Sequence, residues 1–267
     1  MPFVNNNGVQ IHYEVEGQGP PLVMQHGLTR SLEMWRIWGY TEELKKDYQL
    51  ILVDARGHGQ SDKPHDPSAY TYEMFAGDYF TILDDLGINK ANYFGYSMGA
   101  AIGFKSIARY ALSRFSSLIL GGINPMNYTP ETEKQFWNGL VTTYEIAIEQ
   151  GMAAYIAYME KRQGRPYDQR FIPIAMANDP RALLQMTRRL ADGQGVEEIL
   201  PAINVPCLVF AATADAFYPG AKEAASLMPN ATFVSFPGLD HTGCIASTGL
   251  VLPYIKKFLA EVSKNIK

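Results

Sequence analysis

Short apolar, β-rich runs alternate along this chain with amphipathic stretches of helical length, and this alternation restricts the fold more than any other feature. The strand-like runs are Val9 to Val15, Leu22 to Gln25, Gln49 to Val53, the segment around Tyr93-Phe94, and Ser117 to Leu120. Between them, Ser31 to Lys46 can gather Trp35, Trp38 and Leu44 on one face. Thr71 to Leu86 does the same with Phe75, Tyr79, Ile82, Leu83 and Leu86 before Gly87 ends it, and Met98 to Leu112 forms a third helical stretch. Strands separated by roughly 10 to 15 residues of helical pattern cannot pair as hairpins. They join as parallel neighbours through helical crossovers. The expectation is an α/β fold around one mostly parallel, twisted sheet with helices on both faces.

The rhythm changes from Pro125 to Leu200, where helical periodicity continues without a strand. Glu131 to Gln150 carries Phe136, Leu140, Tyr144 and Ala147 or Ile148 at helix spacing, and Asp179-Pro180 supplies a capping carboxylate followed by proline at the first helical position. Strand patterning returns at Cys207 to Ala211 and Thr232 to Phe236. The chain therefore divides into a core domain of residues 1–124 and 201–267, with residues 125–200 as a helical cap inserted late in the core.

Such sheets hold their ligands at the carboxyl ends of the strands, and the strongest chemical pattern lies there. Gly95-Tyr96-Ser97-Met98-Gly99 follows the strand at Tyr93-Phe94 and precedes Ala100, Ala101, Ile102 and Gly103. A turn tight enough to lift a serine off the sheet edge needs small neighbours, because side chains at 95 and 99 would collide with nearby backbone. The helix start beside it favours developing negative charge. Ser97 is the candidate nucleophile.

Serine needs a base held in place by a third group. The chain has five histidines. His12 lies within a strand, and His65 sits in the polar loop Lys63-Pro64-His65-Asp66-Pro67. His241 follows the last strand through Pro237-Gly238-Leu239-Asp240 and is the candidate base. Asp215, four residues beyond the strand ending at Ala211, is the candidate acid. Asp240 adjoins His241, but sequence neighbours rarely face each other as an orienting pair must. The order Ser97, Asp215, His241 is the one expected when the nucleophile sits on a strand-to-helix turn. Two backbone N–H groups must hold an oxyanion. One belongs to Met98, and the other to the loop His26-Gly27-Leu28-Thr29, with Leu28 favoured over Thr29. His26 is expected to brace that loop.

These pieces, together with Asp54-Ala55-Arg56-Gly57-His58-Gly59-Gln60-Ser61-Asp62, resemble the α/β-hydrolase fold superfamily and specifically its lid-bearing serine hydrolases. The resemblance spans most of the chain in the right order. It implies an eight-stranded sheet and an architectural rather than catalytic role for the loop containing Arg56 and His58. It also implies cleavage of a small to medium carboxylic ester or lactone through an acyl-enzyme, with no metal or organic cofactor. Ser97 departs from relatives that use an aspartate nucleophile, the dehalogenases and epoxide hydrolases. Met126, Tyr128, Phe136, Trp137, Tyr144, Met152, Tyr155, Tyr158 and Met159 could line the substrate pocket, with Met126, Trp137, Tyr144 and Tyr155 foremost. The competing expectation is that these side chains pack helix against helix.

Other classes are weaker. Gly17-Gln18-Gly19 leads into Pro20-Pro21 instead of a helix, so it is no dinucleotide fingerprint. His58, Asp62, His65 and Asp66 suit a metal by residue type, but sit in a charged, proline-containing loop that reads as solvated. With 23 Lys+Arg against 27 Asp+Glu, the net charge of −4 leaves no basic face for nucleic acid. No apolar run approaches the ~20 residues of a membrane span, and the start, MPFVNNNGVQ, lacks the features of a signal peptide. Cys207 and Cys244 are expected as buried thiols, consistent with a cytoplasmic protein. A ligand sensor, or a cofactor-free lyase or perhydrolase, could use the same scaffold and triad.

Overall fold

The computed structural model describes residues 2–127, 131–191 and 195–265. Its strands are β1 (Phe3–Asn6), β2 (Val9–Glu16), β3 (Pro21–Gln25), β4 (Gln49–Val53), β5 (Ala91–Tyr96), β6 (Phe115–Gly121), β7 (Cys207–Ala212) and β8 (Ala231–Phe236). They form one sheet in the order β1-β2-β4-β3-β5-β6-β7-β8. β1 and β2 pair antiparallel, as do β2 and β4, and every other neighbouring pair is parallel.

The parallel strands β3 to β7 read as largely continuous apolar runs because both of their faces are covered. Leu22, Val23, Met24, Leu50, Ile51, Leu52, Tyr93, Phe94, Ile119 and Val209 are fully buried. Each such side chain contributes about 1.5–3 kcal/mol relative to exposure. Between β3 and β4 lie α1 (Glu33–Ile37) and α2 (Tyr40–Leu44), and between β4 and β5 lies α3 (Tyr72–Asp85), capped by the Thr71 hydroxyl. α4 (Met98–Ile102) follows β5 and continues as a wider π-type winding over Gly103–Ala111. α9 (Tyr218–Leu227) joins β7 to β8, and α10 (His241–Ala246) and α11 (Thr248–Asn265) follow β8.

Between β6 and β7 run α5 (Glu131–Gln150), α6 (Met152–Gln163), α7 (Ile172–Met176) and α8 (Pro180–Leu190), with α5 packed on α6 and α8. α8 starts as its sequence dictates: Asp179 accepts from the backbone N–H groups of Arg181 and Ala182 at 2.8 and 3.2 Å, with Pro180 at the first position.

Two elements differ from expectation. The stretch Ser31 to Lys46 is two short helices, because Gly39 between them takes a left-handed φ of 80° that no continuous helix accommodates. β1 is an additional strand. It folds back on β2 through Asn7 and Gly8, with φ values of 53° and 84°, so that Asn6 sits opposite Val9. Positive φ at both central residues is the requirement of a two-residue hairpin turn.

Register sets where chemistry can occur. Gln25 lies beside both Val53 and Gly95, and Gly95 lies beside Leu120, so β3, β4, β5 and β6 end together at one edge. Cys207 and Cys244 are both buried and unpaired. Among the described residues no helix is long and apolar enough to cross a membrane.

Candidate active site

β5 ends at Tyr96 and α4 begins at Met98, so Ser97 makes the whole turn. Its backbone sits at φ 55°, ψ −114°, a conformation that costs a non-glycine residue on the order of 1–3 kcal/mol. The surroundings enforce it. A Cβ on Gly95 would stand 2.4 Å from the Gly99 carbonyl carbon, and one on Gly99 would stand 2.2 Å from the Gln25 carbonyl oxygen at the end of β3. The Ser97 N–H donates to the Gly121 carbonyl at 2.8 Å, which ties the turn to β6 as well.

Three candidate residues from three strand ends meet here. Ser97 Oγ lies 2.9 Å from His241 Nε2, and His241 Nδ1 lies 2.7 Å from Asp215 Oδ2. Facing a carboxylate, Nδ1 carries the proton, and Nε2 is left to accept from the serine hydroxyl. The other Asp215 oxygen accepts from the Phe217 N–H at 3.1 Å, and the side chain is 1% exposed. His241 begins α10 and remains a quarter exposed. The Tyr96 hydroxyl donates to its carbonyl at 2.6 Å, and the Phe217 ring stands 5.4 Å from the imidazole. Asp240 is turned away. It caps α10 through the Gly243 N–H at 2.6 Å and pairs with Arg165 at 3.2 Å.

The loop after β3 is fixed by two buried imidazoles. His26 Nε2 accepts from the Ala55 N–H at 3.2 Å, and its Nδ1–H donates to the Gly27 carbonyl at 2.8 Å. His58 Nε2 accepts from the Thr29 N–H at 3.3 Å, and its Nδ1–H reaches the Arg56 carbonyl at 3.3 Å. Burial holds both neutral: it lowers the His26 pKa and, together with the neighbouring His26, pushes His58 down to about 3. Thr29 has a φ of 63° and its N–H is taken by His58, which removes it as an oxyanion donor for this loop. Behind the loop, Asp54 accepts from the Leu32 and Gln60 N–H groups and faces His12 Nδ1 at 2.8 Å, while Arg56 forks onto Asp78 at 2.6 and 2.9 Å. His65 pairs with Asp179 at 2.8 Å. Among the described residues no three His, Cys, Asp or Glu side chains converge as a metal site would require.

A cavity of about 570 Å³ opens over Ser97 and His241, within the usual range for small-molecule sites. Trp137, Tyr144 and Tyr155 line it, with Phe136 and Met159. Met126 does not: its N–H is bonded to Asn124 Oδ1 at 3.0 Å, and its side chain borders a separate recess of about 20 Å³ with Lys105 and Glu133. Met152 and Tyr158 are likewise outside the lining, and Tyr128 lies outside the described residues. The lining also includes Arg30, Trp38, Arg162, Arg165 and Tyr167, none of which the sequence pattern named as a pocket residue. Arg30 and Trp38 come from the segment after β3, and the folding of α5 to α8 over the sheet edge brings the other three to this space. Helical periodicity carries no sign of which face a cavity will claim.

The fold has counterparts among known proteins. The family model for the alpha/beta hydrolase fold matches residues 20–151. A non-heme haloperoxidase of Rhodococcus erythropolis is 25% identical over 97% of this chain and 99% of its own. Epoxide hydrolase 3 of Siraitia grosvenorii is 35% identical, but over only 37% of this chain and 31% of that protein. The chain spans about half or less of the length of several other curated relatives. Among solved structures, the enol-lactonase from Burkholderia xenovorans LB400 is 26% identical with a TM-score of 0.79, covering 97% of this chain and all of that one.

Two stability measurements test the local physics. Gly99→Ala should destabilise the protein by about 3 kcal/mol in urea unfolding, because the new methyl meets a strand carbonyl. Gly249→Ala, with nothing within 4 Å, should change stability by less than about 1 kcal/mol. His58 is neutral when folded but takes a proton near pH 6.5 once unfolded, so the stability it confers is intact above that pH and drains as pH falls toward about 3. From pH 8 to pH 5 the wild type should lose about 2 kcal/mol more than His58→Gln. Parallel losses in the two proteins would show that His58 is not the group responsible.

Proposed function

Because this chain belongs to the α/β-hydrolase superfamily, we propose that it is a serine hydrolase cleaving a small to medium carboxylic ester or lactone through an acyl-enzyme. The observation that carries the proposal is the unbroken line of contacts from Ser97 Oγ to His241 Nε2 at 2.9 Å and from His241 Nδ1 to Asp215 at 2.7 Å. Ser97 Oγ attacks the acyl carbon while its proton passes to His241 Nε2. Asp215 keeps the proton on Nδ1 and stabilises the imidazolium that forms. The backbone N–H groups of Leu28 and Met98 receive the negative charge that develops on the acyl oxygen. His241 then returns its proton to the departing alkoxide, and in the second half takes one from water as that water attacks the acyl-enzyme. A lactone follows the same course with the leaving alcohol still attached to the acyl group.

Residues 125–200 are the proposed cap, with Trp137, Tyr144 and Tyr155 as substrate-contacting side chains. The arrangement α5 to α8 between β6 and β7, and the position of those three side chains on the cavity, support this role. The enol-lactonase neighbour supports a lactone as readily as an open ester.

An organophosphonate should label Ser97 stoichiometrically, as read by peptide mass spectrometry. Ser97→Ala should abolish labelling and reduce hydrolysis of 4-nitrophenyl esters or lactones by about 10⁴-fold or more with the fold retained. Asp215→Asn should lower kcat far more than Asp240→Asn, since Asp240 only caps a helix and meets Arg165. Full turnover by Ser97→Ala would sink the mechanism, and the reverse order of the two aspartates would move the acid.

A further inference from the structure

The charges around the cavity do not balance. Its lining holds the guanidiniums of Arg30, Arg162 and Arg165 and the carboxylates of Asp215 and Asp240. Asp215 is engaged by His241 at 2.7 Å, and Asp240 by Arg165 at 3.2 Å. Among the described residues, no carboxylate lies within ion-pair distance of Arg30 or Arg162. Two cations are left over at the mouth of a site in a protein whose net charge is −4.

Arg30 is the more telling of the two, because it is half-buried while Arg162 is exposed. Its guanidinium lies 4.3 Å from the centre of the Phe171 ring, and one nitrogen donates to the Tyr167 hydroxyl at 2.7 Å. These contacts fix its position, but they supply no anion. Asp168, the carboxylate of this region, feels the charge of Arg30 but is directly paired with Arg170 at 2.6 Å. Taking a cation partly out of water without a directly paired counter-charge is unfavourable, and such groups are ordinarily paired.

A second, independent donor lines the same cavity. Trp38 packs on the same Phe171 ring, 5.0 Å between centroids. Its indole N–H is buried and has no hydrogen-bond partner. An indole nitrogen can only donate. A guanidinium with free N–H groups and an orphaned indole N–H, assembled on one aromatic ring, both lack the same thing: an acceptor, and a negatively charged one. Arg30 is also two residues beyond Leu28 in a loop closed by the Arg30 N–H on the Gly27 carbonyl at 3.2 Å. Arg30, Trp38 and Ser97 line one cavity, so an anion held there shares the space that an acyl group on Ser97 would enter.

We propose that the substrate is an acidic ester or lactone, bearing a carboxylate separated from the scissile acyl carbon by a few bonds, with Arg30 and the Trp38 N–H as its receptor. This specifies the substrate class of the site and rests on the serine-hydrolase assignment above. Arg162 adds a long-range pull on the incoming anion at the rim.

The test compares mono-4-nitrophenyl glutarate with its neutral methyl ester at low ionic strength. The readout is the ratio of their kcat/KM values in each protein, whatever the absolute rates. Wild type should favour the acid by about tenfold or more, the worth of a charge-assisted hydrogen bond. In Arg30→Met the ratio should fall to near unity. Trp38→Phe, which keeps the ring but not the donor, should lower it part of the way, and Arg30→Lys should retain more of it than Arg30→Met. If Arg30→Met does not fold by circular dichroism, the other two variants decide by the same ratio. Calorimetry of monomethyl glutarate on Ser97→Ala, with and without Arg30→Met, reads the receptor without any chemistry, and binding should require Arg30. A wild-type ratio near one, or a ratio and a binding isotherm indifferent to Arg30, overturns the proposal while leaving the serine hydrolase intact. Arg30-dependent binding without Ser97-dependent hydrolysis of either ester would sustain the anion receptor and overturn the hydrolase.

Discussion

The contact on which the site depends is the approach of the first turn of α4 to the end of β3, where Gly99 leaves no room for a side chain beside the Gln25 carbonyl. That closeness, with the equally tight meeting of Gly95 and Gly99, forces the chain to reverse within one residue and holds Ser97 in a backbone conformation it would not choose alone. The unfavourable geometry persists because the sheet over-determines it: β3 pairs with β5 on one side, and β6 accepts the Ser97 N–H on the other. Position on the sheet edge, exposure of the hydroxyl and proximity to the Leu28 loop all descend from this one packing constraint.

Charge is handled in two contrasting ways around that turn. Behind the loop, His26 and His58 are held neutral by burial and serve as hydrogen-bonding struts between backbone segments, each accepting on one nitrogen and donating from the other. In front, His241 keeps a quarter of its surface open to the cavity and faces a fully buried carboxylate. The same residue type is thus a rigid spacer in one place and a proton carrier in the proposed mechanism, and the difference lies in access to solvent and in the partner on Nδ1.

Much of this was legible in the sequence. The apolar runs located seven of the strands, five of them, β3 to β7, because strands covered on both faces read as largely apolar. The small residues at 95 and 99 announced a tight turn, and the positions of Asp215 and His241 just beyond strands put them at the same edge. β1 was not found, although Asn7-Gly8 is a hairpin signal in its own right; its strand is short and rich in asparagine, so no apolar alternation marks it. The break at Gly39 was visible only as an unfavourable helix residue. Trp137, Tyr144 and Tyr155 were candidate pocket residues, yet so was Met152, which is not part of the cavity lining; periodicity separates a buried face from a wet one and cannot tell a packed interior from a ligand's enclosure. Arg30 carried no pattern at all. Its significance comes from what fails to surround it.

Ser97 has no imidazole to bond until 144 further residues have been added to the chain, and the Thr29 carbonyl waits 149 residues for the Asn178 side-chain amide that anchors it at 3.0 Å. Contacts of such separation form late, since the loops that close them are long and their entropy must be lost first. During synthesis the strand bearing the serine emerges well ahead of its partners. A ribosome-bound fragment that stops short of His241 therefore lacks the base proposed for Ser97.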